Sequence, residues 1–232
     1  MLARGAAREA VSHGHGLRSV PGAPVPTVPR FDLESPLVSD PTGLPEEFRR
    51  AVAALSAVRP RPELVLAPLD APPRLAPYTW AVSVEADADR LPGEDLDEPD
   101  TSGRLILLHD PAGQDAWEGR FRLVCFVQAR LDPEQVGDEM LPTVGWSWLT
   151  EALEQNGAAH VALGGTVTQT SSVRFGDIAG PRRTDDVELR ASWTPAGPAE
   201  SDGDLRCHAE AFCTLVSTAA GLPPVGIAQL AR

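Results

Sequence analysis

An alternation of apolar and other residues over positions 120–131 constrains the fold of this chain more than any other feature of its sequence. The odd positions are all apolar: Phe121, Leu123, Cys125, Val127, Ala129 and Leu131. The even positions are mixed: Arg120, Arg122, Val124, Phe126, Gln128 and Arg130. A period of two over this length is typical of a β-strand with one face in the core and an amphipathic opposite face. The chain is therefore predicted to contain a sheet that is covered on one face.

The patterns on either side of this strand predict the rest of the architecture. Further strands are predicted at 63–66, 78–84, 104–108, 165–175 and 187–193. A first helix begins near Pro45 and ends before Pro60, and two later helices carry apolar stripes within 143–157 and 205–219. Runs of strands separated by single helices favour an α+β fold, with a mostly antiparallel sheet packed by about three helices in the order helix, strands, helix, strands, helix.

Composition along the chain suggests three regions. Residues 1–42 are rich in Gly, Pro and Ala in their first part and are predicted to be a disordered N-terminal arm. Residues 43–225 are predicted to form a single α+β domain, followed by a C-terminal tail at 226–232. Within the domain, residues 85–100 carry eight carboxylates against one Arg and are predicted to be a solvated acidic loop.

The absence of Lys excludes several kinds of chemistry. All 20 basic residues are Arg, so a Walker-type phosphate loop and a Schiff-base enzyme are excluded. The net charge of −13 disfavours direct binding to nucleic acid or to an anionic membrane. No apolar run is long enough for a signal peptide or a membrane span. Three Cys without paired spacing favour a reducing cytoplasm.

The best candidate for a catalytic cluster consists of His109, Asp110 and Asp115, with Arg120 close behind. A His beside carboxylates could act as acid and base or hold a metal ion. The same residues also suit a type I turn at 110–113, with Asp first, Pro second and Gly fourth. The turn explains the pattern better, so we predict no firm catalytic residue, no metal site and no cofactor. A small enzyme that uses this cluster stays an open alternative.

Candidate binding residues lie on the amphipathic face of the long strand and on the second helix. Arg120, Arg122 and Arg130 are predicted to share a strand face that could contact an acidic partner, a nucleotide or the acidic loop of the same chain. Contact with the same chain is the favoured use. Trp148 lies off the apolar stripe of its helix and is a candidate for a contact surface.

Several Trp-containing strings carry a resemblance to a known family. They are the run 105–125, Gly-Trp-Ser-Trp-Leu-Thr-Glu-Ala-Leu at 145–153, Gly-Thr-Val-Thr at 165–168 and Arg-Ala-Ser-Trp-Thr-Pro at 190–195. Over roughly residues 44–224 the chain resembles an actinobacterial family catalogued as domain of unknown function 3000. The resemblance implies no assigned reaction, ligand or partner. It implies genes that often lie beside a ribonuclease of the D type, which suggests an RNA-linked accessory factor as one alternative.

The sequence therefore favours a cytoplasmic, non-catalytic interaction or adaptor protein with a protein partner that the sequence does not identify. A homodimer is a further expectation that the sequence leaves open. The alternatives are the small enzyme at His109 and the RNA-linked factor that would use the Arg side chains.

Overall fold

Six antiparallel strands and three α-helices make up the part of the chain that a computed structural model describes, residues 43–86, 101–132, 134–178, 183–197 and 204–224. The helices are α1 (Glu46–Ser56), α2 (Leu141–Gln155) and α3 (Arg206–Ala219). The strands are β1 (Leu64–Leu69), β2 (Tyr78–Ala86), β3 (Thr101–Gln114), β4 (Gly119–Arg130), β5 (His160–Ser172) and β6 (Thr184–Pro195). They form one sheet in the order β1-β2-β3-β4-β6-β5. The predicted α+β fold and its order of elements are confirmed.

The described residues all belong to the second of the two units into which the chain divides, 1–35 and 36–232. The predicted N-terminal arm at 1–42, the predicted tail at 226–232 and most of the predicted acidic loop at 85–100 lie outside the described residues. Within the described ranges, no helix is both long and apolar enough to cross a membrane.

The helices pack on one face of the sheet. A Cβ added to Gly103 on β3 would lie 2.8 Å from Val216 and 2.9 Å from Phe212, both on α3. A Cβ added to Gly145 on α2 would lie 3.2 Å from Val167 on β5. Glycine is required at Gly103 because a larger residue would meet the α3 side chains below ordinary contact distance. The opposite face carries no helix among the described elements, and we call it the open face.

The alternation in β4 places its two faces as predicted. Every odd position from Phe121 to Leu131 is at most 9 % exposed. The first four of these side chains pack in a large group of core residues with Leu105, Leu107 and Trp193. The last two pack in a smaller group of core residues with Leu141 and Val187. Val124 and Phe126 face the other way and are partly buried. On the open face, Arg104 and Arg190 lie on either side of Phe126, with guanidinium carbons 5.9 and 5.3 Å from the centroid of its ring.

The connection between β3 and β4 differs from the prediction. The chain reverses at a 3-10 turn, Asp115–Trp117, and at Glu118, whose φ is 59°. The predicted turn at 110–113 is instead an irregular part of β3, where the register shifts between His109 and Gln114. Asp110 still makes the local bond expected of it, since its carboxylate accepts the Ala112 N–H at 3.0 Å. The error arose because an Asx-type contact is common to turns and to bulged strands.

Candidate functional site

His109, the centre of the predicted catalytic cluster, is completely buried. Its ring stacks on Phe121 with centroids 4.4 Å apart and lies 5.9 Å from both Phe48 and Tyr78. Nδ1 lies 3.2 Å from the carbonyl oxygen of Arg120, which can only accept, so Nδ1 carries the proton. Burial lowers the pKa of His109, although the carboxylate of Glu47 opposes that change. The imidazole is therefore neutral near pH 7 and is held within an aromatic cage.

The carboxylates of the predicted cluster do not converge on this ring. Asp110 bonds to Ala112 and to the side chain of Gln114, and Asp115 lies in the 3-10 turn. The carboxylate that does approach is Glu47 of α1, which the sequence did not indicate. Its Oε1 lies 3.1 Å from His109 Nε2, out of line for a hydrogen bond, and its Oε2 lies 2.7 Å from Arg120 Nη1. The Glu47 contacts attach α1 to β3 and to the start of β4.

Arg122 is bound by its own protein on the open face. Its Nη1 donates to the carbonyl oxygen of Ala162 at 2.9 Å and to Thr194 Oγ1 at 3.2 Å, and its Nη2 donates to Ser192 Oγ at 2.8 Å. Ala162 has a φ of 50°, a left-handed conformation that is unfavourable for a residue with a Cβ. It lies in the bulge between Val161 and Gly164 of β5. Arg122 therefore holds a strained segment of β5 against β6 and β4.

Replacing Arg122 with Ala is expected to lower the free energy of unfolding by about 2 kcal/mol, because hydrogen bonds to a charged donor contribute about 1.5–3 kcal/mol. Arg122→Lys should recover only part of this, since one ammonium cannot span the same three acceptors. Urea unfolding followed by circular dichroism would measure the changes. Arg190→Ala on the neighbouring strand is the matched control, with an expected change of about 1 kcal/mol or less, because it removes only an exposed ion pair and an exposed contact with the Phe126 ring. Equal effects of the two Ala variants would contradict this role of Arg122.

The other predicted binding residues lie apart from one another. Arg130 is exposed at the end of β4. Trp148 is partly buried and packs against both groups of core residues that the helices cover. Arg120 pairs with Glu47, so the predicted Arg face is not a continuous free surface. Arg120 and Arg122 each bind groups of their own chain, and most of the acidic loop lies outside the described residues.

The cysteines lie in surroundings that disfavour the thiolate. Cys125 and Cys213 are buried, and burial raises the pKa of each thiol to about 12. Burial also raises the pKa of Cys207. The prediction that Cys125 lies on the core face is confirmed. Throughout the described ranges, no three His, Cys, Asp or Glu side chains come together in an arrangement that could hold a metal ion.

The two edges of the sheet differ in how well they are protected against pairing with another chain. The edge strand β1 has six residues and contains Pro68, which has no N–H to offer. The other edge strand, β5, has thirteen residues, and between Val161 and Ser172 it contains no Pro, Asp, Glu, Lys or Arg. Among the described strands it pairs with β6 alone. A long uncharged edge strand with free N–H and C=O groups is a site for pairing with another strand.

Exposed apolar side chains gather at the β5 edge. Of the seven exposed large apolar side chains in the described residues, five lie on or beside β5: Met140, Val144, Val161, Val173 and Phe175. Phe175 is the most exposed of them, at 77 %. The start of α2 lies next to β5, because Gln169 Nε2 donates to the carbonyl oxygen of Asp138 and Gly145 packs on Val167. We call β5 together with Met140, Val144, Val173 and Phe175 the β5 edge surface.

The sequence prediction missed this surface, although one signal was present. The run 161–172 is rich in Val, Thr, Gly and Ser and is uncharged, in a chain with abundant acidic residues. That pattern indicates a strand that avoids charge. It does not reveal that the strand lies at an edge, since β6 follows β5 in sequence but lies between β5 and β4 in the sheet.

Comparisons with known proteins agree with the resemblance seen in the sequence. The model of a family described as "Protein of unknown function (DUF3000)" matches residues 44–228. No curated protein matches the chain. No solved structure matches it either.

Proposed function

This chain belongs to the DUF3000 family, and we propose that it is a non-catalytic interaction or adaptor protein of the cytoplasm that binds another polypeptide by strand addition at β5. The observation that carries the proposal is the β5 edge surface. Strand addition uses backbone hydrogen bonds along a free edge for affinity and neighbouring apolar side chains for specificity. Both are present there, along an edge strand with no charged side chain between Val161 and Ser172.

The burial of His109 supports a non-catalytic role. A general acid or base must come within hydrogen-bond reach of its substrate. The His109 ring is 0 % exposed, its Nδ1 is used by Arg120, and aromatic rings lie against it. The Glu47 carboxylate beside Nε2 is itself paired with Arg120. These contacts suit a cluster that attaches a helix to a sheet.

The engagement of Arg120 and Arg122 also weighs against an RNA-linked role. Phosphate contacts need cationic side chains that can turn toward the ligand. Arg122 uses two of its nitrogens on Ala162, Ser192 and Thr194, and Arg120 is paired with Glu47. A net charge of −13 opposes the approach of a polyanion. The cytoplasmic location is proposed because all three cysteines are free.

We expect Thr168→Lys to abolish partner binding. Thr168 is exposed in the middle of β5, and a Lys on an edge strand opposes strand addition. The test is purification of a tagged chain from its own host, with an untagged copy co-expressed, and quantification of every polypeptide that co-elutes in near-equal amount. We expect at least a tenfold loss of that polypeptide with Thr168→Lys.

The matched control is Ser56→Lys, which adds the same side chain at an exposed position at the end of α1. It should retain the polypeptide in full. Circular dichroism and thermal melting should show that both variants fold. Retention of every co-eluting polypeptide by Thr168→Lys would contradict strand addition at β5.

A further inference from the structure

We infer that the strand added to β5 is β5 of a second copy of this chain, paired antiparallel about a two-fold axis at Val167. This inference rests on the proposed strand addition and names the partner. The two six-stranded sheets would then form one continuous sheet, with the helices of both copies on the same face. Three features of the β5 edge surface favour a second copy over a foreign strand.

The first feature is that β5 is complementary to itself. An antiparallel pair of identical strands is isologous: if residue i of one copy meets residue j of the other, then j of the first meets i of the second, and only the residue on the axis meets itself. In the register about Val167, Val167 meets Val167, and Thr166 meets Thr168 twice. Thr166 and Thr168 lie opposite Arg190 and Glu188 of β6, on the open face of the sheet. Cross-strand pairs of Val and of Thr are favourable in antiparallel sheets.

The second feature is the position of the exposed apolar side chains. Val161 lies near one end of β5, and Val173 lies just beyond the other. Each is six residues from Val167, so antiparallel pairing brings Val161 of one copy close to Val173 of the other. The bulge between Val161 and Gly164 displaces this contact by about one residue. The exposed apolar ends of the strand would thus cover each other.

Helix α2 extends the same contact. Gly145 packs directly on Val167, so the start of α2 in each copy lies beside the axis. Val144 is adjacent to Gly145 and is 41 % exposed. Two copies of this segment flank the axis on the helix face, where apolar side chains can pack between the copies.

The third feature is charge. Each copy carries a net charge of −13, so most surfaces of two copies repel each other. The twelve positions 161–172 carry no charged side chain, and two copies can meet there without placing carboxylates opposite one another. Positions 161–172 of β5 offer no carboxylate that could pair with the basic side chains of a foreign strand. A second copy supplies a strand of the same uncharged character.

The mass of the purified full-length chain, measured by light scattering over a range of concentrations, tests this inference. We expect twice the mass of one chain for the wild type and for Ser56→Lys, and the mass of one chain for Thr168→Lys. Added salt should strengthen the dimer, because it screens the repulsion between two acidic copies while leaving backbone pairing in place. A wild-type monomer at all concentrations would overturn the inference.

A cysteine at the axis tests the register. In Val167→Cys, two thiols face each other across the axis, and oxidation or a short thiol cross-linker should give a covalent dimer. Val167→Cys combined with Thr168→Lys should give none, and the wild type with its own three cysteines measures the background. If the Val167→Cys variant is a dimer but does not cross-link, the proposed pairing about Val167 is overturned.

The failure of this inference is distinguishable from failure of the proposed function. A monomeric wild type whose co-purified partner is lost with Thr168→Lys would overturn self-pairing and leave strand addition to a foreign chain supported. A monomeric wild type whose partners are all retained by Thr168→Lys would overturn both.

Discussion

Trp193→Ala is expected to lower the free energy of unfolding by about 3–5 kcal/mol, the range for removing a large aromatic side chain from a core. Trp193 lies on β6 and is 0 % exposed. Its indole Nε1–H donates to Nδ1 of His208 on α3 at 3.1 Å, within the core. The substitution leaves a cavity between sheet and helix and removes the donor to a buried imidazole. Urea unfolding monitored by circular dichroism would measure the loss.

Trp148→Ala is the matched control for this prediction, because Trp148 is only partly buried on α2. A smaller loss, about 1–2 kcal/mol, is expected from the smaller area that it buries. Trp193→Phe should fall between the wild type and Trp193→Ala, since it keeps most of the apolar contact and loses the hydrogen bond. If Trp148→Ala cost as much as Trp193→Ala, the complete burial of Trp193 would not account for its larger expected effect.

Acidification from pH 6.5 to 4 is expected to destabilise the fold through His208 by about 3 kcal/mol. Burial lowers the pKa of His208 to about 4, with a smaller contribution from His160, whose positive form repels a second charge. The unfolded chain, in which the pKa is near its ordinary 6.5, therefore takes up the proton first as pH falls. The stability that neutral His208 provides is complete above pH 6.5 and is lost progressively down to pH 4. Urea unfolding at a series of pH values would measure this.

The hydrogen bond from Trp193 gives a second reason, besides burial, why protonation of His208 is unfavourable. Nδ1 of His208 accepts the indole N–H, so the ring proton lies on Nε2, and a second proton on Nδ1 would break this bond. His208→Gln supplies an acceptor without a titrating ring. Carboxylates and other His titrate in the same range, so the test is the difference between the two pH profiles. His208→Gln should be flatter between pH 6.5 and 4, and parallel profiles would refute the role of His208.

The sequence predicted those parts of the fold that depend on residues close together in the chain. The alternation in β4 specified which side chains enter the core, because a strand exposes its two faces in turn. The stripe on α3, including His208 and Phe212, is likewise buried. The turn at 110–113 was wrong because Asp110 makes the same local bond, to the Ala112 N–H, within an irregular part of a strand. The correct burial pattern and the wrong turn both follow from local geometry. A sequence pattern describes local geometry well, but one pattern can fit more than one local structure.

The candidate site was harder to predict because its contacts join distant residues. Glu47 and His109 are far apart in sequence and meet only where α1 packs on the sheet. Arg122 was correctly placed on the amphipathic face, but no pattern indicated that the carbonyl of Ala162 would lie beside it. The β5 edge surface depends on the order of strands, which follows from packing among all six. The composition revealed that β5 is uncharged, but it did not reveal which strands lie beside β5.

The position of β6 between β4 and β5 has a consequence for synthesis on the ribosome. The strands β1 to β4 can pair as they emerge, each with the one before it. β5 then leaves the exit tunnel before its neighbour exists, and β4 keeps an open side until β6 arrives. A chain that stops before residue 184 therefore lacks the strand that joins the two parts of the sheet. At translation rates of about 5–20 residues per second, nascent β5 waits about 1–5 seconds for the rest of β6 to be synthesised, because β5 ends at Ser172 and β6 ends at Pro195.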